Sequence, residues 1–111
     1  MFMFDKFIKA VAIIFIFLGT SNLVIAEDLL ENADPAYGEY LAGECVTCHS
    51  ASGADKGIPS IIGLDAEGFA YMMHAYRNKE LDNKVMQLVA GRLDDEQIAS
   101  LAVYFAALPA K

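Results

Sequence analysis

Apolar residues follow two different rhythms along this chain. Over residues 10–18 they run almost unbroken, behind Lys6 and Lys9 and ahead of the polar stretch Gly19-Thr20-Ser21-Asn22. Beyond Glu27 they recur every three or four positions, which is the period of a helix with one buried face. Asp34-Pro35 predicts a helix start, because Asp caps free amides and Pro is tolerated at the first helical position. That helix is predicted to run to about Glu44, with Tyr37, Tyr40 and Leu41 turned to the core. Residues 50–62 predict a loop from their Ser, Gly, Asp and Pro59 content. Asp65 predicts the cap of a second helix through about Asn78, with Phe69, Met72, Met73 and Tyr76 as its apolar stripe. Residues 79–84 are polar and predict a loop, and residues 85–90 a short helix that Gly91 ends. Asp94 predicts the cap of the last helix, with Gln97 completing a capping box and acidic residues on the positive end of the dipole. Ile98, Leu101, Phe105 and Leu108 form its stripe, and Pro109 stops it. No segment alternates like a strand, and no internal repeat is present. The expected fold is all-α, with three main helices and a short extra one.

The first rhythm belongs to a different kind of segment. Charge, then an apolar core, then small residues at Val24 and Ala26 is the order of a secretory signal peptide. Residues 1–26 are expected to be removed, leaving a single domain over residues 27–111 in the periplasm. An uncleaved anchor is the alternative, since a spanning helix needs roughly 20 apolar residues; the polar break at residues 19–22 argues against it. The remaining 85 residues build a thin core, which at this size commonly leans on a metal, disulfide or cofactor. They carry six Lys or Arg against fourteen Asp or Glu, a net charge of −8. That charge lacks the basic footprint of nucleic-acid binding and suits a basic protein partner or plain solubility.

Two cysteines in an exported chain would ordinarily suggest a disulfide. Here Cys45 and Cys48 stand three positions apart and His49 follows at once. Cys45-Val46-Thr47-Cys48-His49 has the C-x-x-C-H spacing by which two thiols attach covalently to the vinyl groups of one haem c, with the adjacent imidazole reaching iron. Three other readings compete. A redox-active C-x-x-C pair belongs to a mixed α/β fold, and this chain predicts no strands. Zinc takes about four ligands, and His74 is the only other histidine. An accidental match with a buried disulfide is the third.

Iron attached in this way has an opposite axial position, filled by methionine, by histidine or by nothing. Met72 and Met73 fall within the second helix, where methionine usually fills core space. His74 follows them on the same helix. Met86 stands 37 residues after His49, behind a polar stretch and ahead of the last helix, and a methionine in such a loop can swing over the open face. It is the first candidate and His74 the second.

Over residues 36–108 the chain resembles bacterial class I cytochromes c. The likeness rests on Gly38-Glu39-Tyr40-Leu41 before the cysteine motif, Gly57-Ile58-Pro59-Ser60-Ile61-Ile62-Gly63 in the loop, and Met86 followed by Leu93-Asp94-Asp95-Glu96-Gln97-Ile98 and Leu101-Ala102-Val103-Tyr104-Phe105. The resemblance implies helices wrapped round one covalent haem. It implies that Gly38 lets the first helix cross the last closely, against Leu101 and Tyr104. It implies that the Pro59 carbonyl holds the far nitrogen of His49, and that Met86 supplies the distal sulfur. Tryptophan is absent, and Tyr71, Tyr76 or Arg77 stand in as candidates for holding the haem propionates.

Residues 57–108 are also similar to the cytochrome subunit of flavocytochrome c sulfide dehydrogenase and to free electron carriers of similar size. Electron transfer is the implied function, with a redox partner such as a sulfide-oxidising flavoprotein; the free carrier is the alternative. An open-site haem that senses small gases is a reading from a different class. With both axial positions filled, no catalysis at iron is expected, and the chain would be an enzyme subunit by association alone.

Overall fold

The structure is a computed structural model and describes residues 24–110. The chain forms α1 (Val24–Glu31), α2 (Pro35–Cys48), a single 3-10 segment (Ala51–Lys56), α3 (Ala66–Arg77), α4 (Lys84–Gly91) and α5 (Asp95–Ala107). Among the described residues there is no strand, and the architecture is all-α, in keeping with the class I cytochrome c fold. No described helix is long and apolar enough to cross a membrane. Residues 1–23 of the predicted leader lie outside the described residues.

Each helix from α2 onward starts where a short polar side chain takes up orphan amides. The Asp34 carboxylate accepts from Ala36 N–H at 2.9 Å, and that of Asp65 accepts from Gly68 N–H at 2.9 Å. Asn83 Oδ1 accepts from Met86 N–H at 3.0 Å. At the start of α5, Asp94 accepts from Gln97 N–H at 2.8 Å while Gln97 Oε1 accepts from Asp94 N–H at 3.0 Å, a closed capping box.

α5 is the hub, and α1, α2 and α3 all pack on it, while α4 packs on α3. Ile98, Leu101, Ala102 and Phe105 on α5 are essentially inaccessible. Phe105 stacks on Phe69 of α3 with centroids 5.7 Å apart and meets Tyr104 edge-on at 5.2 Å. Across the α2–α5 crossing the contact is backbone on backbone. A Cβ on Gly38 would strike the Ser100 carbonyl oxygen and lie 2.8 Å from Tyr104 Cβ. The implied partners of Gly38 were Leu101 and Tyr104; the atoms nearest it belong to Ser100 and Tyr104.

Four features depart from the sequence expectation. Among the described residues there is a fifth helix, α1, which sets Leu30 against the core. α2 runs on past Glu44 to Cys48. The predicted loop after it contains the 3-10 segment. Tyr40 and Met72, expected to face inward, are exposed. On α2 the buried face is made by Gly38 and Ala42, four apart, so the helix presents its small residues to α5 and turns the large aromatic outward. On α3 the inward positions are Phe69 and Met73, again four apart, and Met72 falls beside them.

Candidate functional site

The extension of α2 decides the geometry of the C-x-x-C-H motif. Inside a helix, residues three and four apart share a face. Cys45 and Cys48 stand at i and i+3 in the last turn of α2, and His49 follows at i+4 as its C-cap, so both thiols and the imidazole are set at the end of one helix. The turn is closed by His49 N–H donating to the Cys45 carbonyl at 2.9 Å, and Thr47 Oγ1 donates back to the Gly43 carbonyl at 3.1 Å. Both cysteines are free thiols; Cys45 is half-buried and Cys48 exposed.

The loop that follows folds back under His49. Gly53 N–H donates to the Ser50 carbonyl at 2.9 Å, and Ile58 N–H donates to the Gly53 carbonyl at 3.0 Å. Gly53 is buried against the end of α2, where a Cβ would run into the Cys48 carbonyl oxygen. This return places the Pro59 carbonyl 2.7 Å from His49 Nδ1. A carbonyl only accepts, so Nδ1 is the donor, and of the two neutral tautomers the contact selects the one whose lone pair is on Nε2. An imidazole held in this way is oriented for a metal by a neighbour that is not itself a ligand.

Met86 lies in the first turn of α4, inside the short helix predicted over residues 85–90, and not in the loop that its ranking as a ligand had assumed. It is half-buried and packs, with Cys45, Ile61, Tyr76 and Leu93, on the central apolar cluster. The structure thus joins His49 directly to Pro59, and Cys45 to Met86 through a shared core. His74 belongs elsewhere. Arg77 only donates, so His74 Nδ1 accepts from Arg77 Nη2 at 2.9 Å, and it stands 3.9 Å from the Asp95 carboxylate. Arg77 also donates to Asp95 Oδ1 at 2.7 Å and to the Leu93 carbonyl at 3.2 Å. Its guanidinium is therefore committed to the α3–α5 junction, which sets it apart from Tyr71 and Tyr76 as a candidate for a propionate. Tyr71 is exposed and Tyr76 half-buried.

A groove of about 490 Å³ opens beside Cys45. Leu41, Val89, Leu93 and Leu101 form its apolar wall, and Tyr40, Glu44, Arg92 and Gln97 stand around it. Arg92 lies 3.6 Å from Glu44 and ties the end of α2 to the α4–α5 connection. Sequence reasoning did not single out Val89, Arg92 or Glu44; Val89 carries a usable signal, because it lies three residues after Met86 on one helix face.

These residues fit a covalently held haem. The donor set is two thiols and one metal-ready imidazole on a single turn. The core is thin as well: of the buried hydrophobic residues Ala42, Phe69, Met73, Ala75, Ala90, Ile98, Ala99, Leu101, Ala102 and Phe105, half are alanine. Each fully buried large side chain contributes about 1.5–3 kcal/mol, and alanine much less, so an apolar ring against the groove residues Leu41, Val89 and Leu93 would add what the chain lacks.

The competing readings fit less well. Reactive C-x-x-C thiols have a lowered pKa, commonly at a helix N-terminus. Here burial, and then the adjacent Glu44 carboxylate, push the Cys45 thiol up from its ordinary value, and the pair sits at the negative end of α2. Among the described residues, no group of three or more His, Cys, Asp or Glu side chains converges as zinc would need.

Among the described residues the domain is all-α, in keeping with a cytochrome c fold, and one C-x-x-C-H motif stands at the end of α2. No protein-family model matches the chain. A curated protein of Stutzerimonas stutzeri (strain A1501), named thiosulfate dehydrogenase electron acceptor, is 33% identical to it over 69 residues. The match covers 60% of this chain and 32% of that protein, so the matched stretch spans about a third of the relative's length.

Proposed function

We propose that this chain is an exported, periplasmic electron carrier that holds one haem c and accepts electrons from an enzyme oxidising an inorganic sulfur compound. The observation that carries the proposal is the end of α2, where Cys45, Cys48 and the C-cap His49 stand at i, i+3 and i+4 and His49 Nδ1 is pinned to the Pro59 carbonyl at 2.7 Å. Cys45 and Cys48 would form the thioether links, and His49 would present Nε2 to iron. Met86 would be the second iron ligand, since its thioether is soft and half-buried on the same core. Leu41, Val89, Leu93 and Leu101, which wall the groove beside Cys45, would shield the group from water. Bound haem supplies a one-electron ferric–ferrous couple. With His49 and Met86 both held to iron, the chain would relay electrons and no substrate would reach the metal.

The relative's name favours thiosulfate dehydrogenase as the electron donor. A second reading, a sulfide-oxidising flavoprotein, rests on the likeness of residues 57–108 to the cytochrome subunit of flavocytochrome c. A free carrier serving another respiratory partner is the alternative to both. The test is stopped-flow reduction of the haem-loaded protein by each enzyme with its substrate. Fast reduction by a thiosulfate dehydrogenase supports the first setting, and fast reduction by a sulfide-oxidising flavoprotein the second. Failure of both would remove the sulfur setting and leave the free carrier.

A further inference from the structure

We infer that Asn83 is a positioning residue for the distal side of the iron site: its side chain fixes the first turn of α4 and so holds Met86 in place. The inference rests on Met86 being the distal ligand. Met86 is the third residue of an eight-residue helix, and its own amide is the one Asn83 captures, Met86 N–H to Asn83 Oδ1 at 3.0 Å. The Asn83 carbonyl takes the next amide, Gln87 N–H, at 2.9 Å. Gln87 Nε2 then reaches back to the Leu81 carbonyl at 2.9 Å and closes the approach to the helix. The backbone of Met86 is therefore held at its own nitrogen, and the turn around it is tied on both sides.

So short a helix has little propensity of its own, and its first turn depends on its cap and its packing. That packing is uneven. Val85 and Leu88 point to solvent at 63% and 72% exposure, leaving Met86, Val89 and Ala90 as the inward face. Without the Asn83 oxygen, the turn that carries the sulfur has one amide unpaired and a looser hold on the core. Local opening of that turn then lifts Met86 off iron and admits external ligands.

The experiment uses the haem-loaded protein and measures carbon monoxide binding to the ferrous form, with the near-infrared methionine–iron band of the ferric form as a second readout. Loss of an N-cap shifts a local equilibrium by roughly 2- to 30-fold. Asn83→Ala should therefore speed carbon monoxide binding by about that factor and weaken the near-infrared band, and Asn83→Asp, which keeps an accepting oxygen, should restore both. Asp65→Ala is the matched control: it removes the cap of α3, whose bond to Gly68 N–H is 2.9 Å, and should lower thermal stability without changing carbon monoxide binding. Unchanged rates in Asn83→Ala, or equal acceleration in Asp65→Ala, overturn the inference. A wild-type protein without the near-infrared band, or a Met86→Ala variant that keeps it, would instead overturn the Met86 assignment itself, so the two failures are distinguishable.

Discussion

Gly38→Ala tests the packing that brings the cysteine-bearing helix onto the rest of the domain. The new Cβ would lie 2.6 Å from the Ser100 carbonyl carbon and 2.8 Å from Tyr104 Cβ, and closer still to the Ser100 oxygen. Two of these neighbours are backbone and the third is a Cβ, so no rotamer change relieves the overlap. α2 and α5 must move apart by roughly 1 Å, about the shortfall from ordinary contact, in a core packed at crystal-like density. Overpacking of this kind typically costs about 1–3 kcal/mol, and the helix preference of Ala over Gly returns up to about 1. Because the clash cannot be rotated away the upper end applies, for a net loss of about 2 kcal/mol. In a domain of this size that lowers Tm by about 8–16 °C. The assay is thermal unfolding of the haem-loaded protein followed by far-ultraviolet circular dichroism. Gly91→Ala, at a helical glycine with nothing within 4 Å, is the control and should leave Tm unchanged or slightly higher. A Gly38→Ala variant melting within about 2 °C of wild type would refute the close crossing.

Three further outcomes follow from the same packing. Ser100 is fully buried and its hydroxyl has no hydrogen-bond partner among the described residues, so Ser100→Ala should be neutral or stabilising by up to about 1 kcal/mol in urea unfolding; a loss above 1 kcal/mol would reveal a bond there. Lys79 holds φ of 62°, a left-handed conformation costly for any residue with a Cβ, so Lys79→Gly should gain about 0.5–1 kcal/mol, and a loss would contradict that backbone. The Arg77 hydrogen bond holds the Asp95 carboxyl below its usual value, so this pair stabilises the fold above the unfolded pKa and the contribution fades as pH falls through the lower, folded one. Asp95 is largely exposed, which limits the effect to about 1 kcal/mol or less, and Asp95→Asn should flatten the acid limb of Tm against pH; an unaltered limb would dismiss the pair.

Much of this architecture was legible because polar caps are local signals. Asp34, Asp65 and Asp94 each mark a helix start by chemistry that needs no knowledge of the fold. Inward faces were harder to read. Tyr40 was expected inside because it is large and apolar, but the α2–α5 crossing is so tight that only Gly38 and Ala42 fit, and residue size misleads where backbones touch. α1 was missed because its apolar residues adjoin a segment with the pattern of a leader, and only their packing on α5 reveals a helix. Asn83 was legible in principle, as an Asn just before Val85 and Met86, but charged neighbours made the stretch read as loop. In the candidate site, the spacing of Cys45, Cys48 and His49 was visible in sequence. The Pro59 contact required a loop return that composition does not specify and entered through resemblance. The groove at Val89 and Arg92 exists only once α2, α4 and α5 have met.

Covalent haem attachment is the central claim, and the intact mass of the protein from a host that exports and matures c-type cytochromes tests it most directly. The account predicts a denatured chain beginning at Glu27 that retains the mass of one haem, and loses that added mass when Cys45 and Cys48 are both replaced by Ala. A wild-type chain with the mass of polypeptide alone would contradict it.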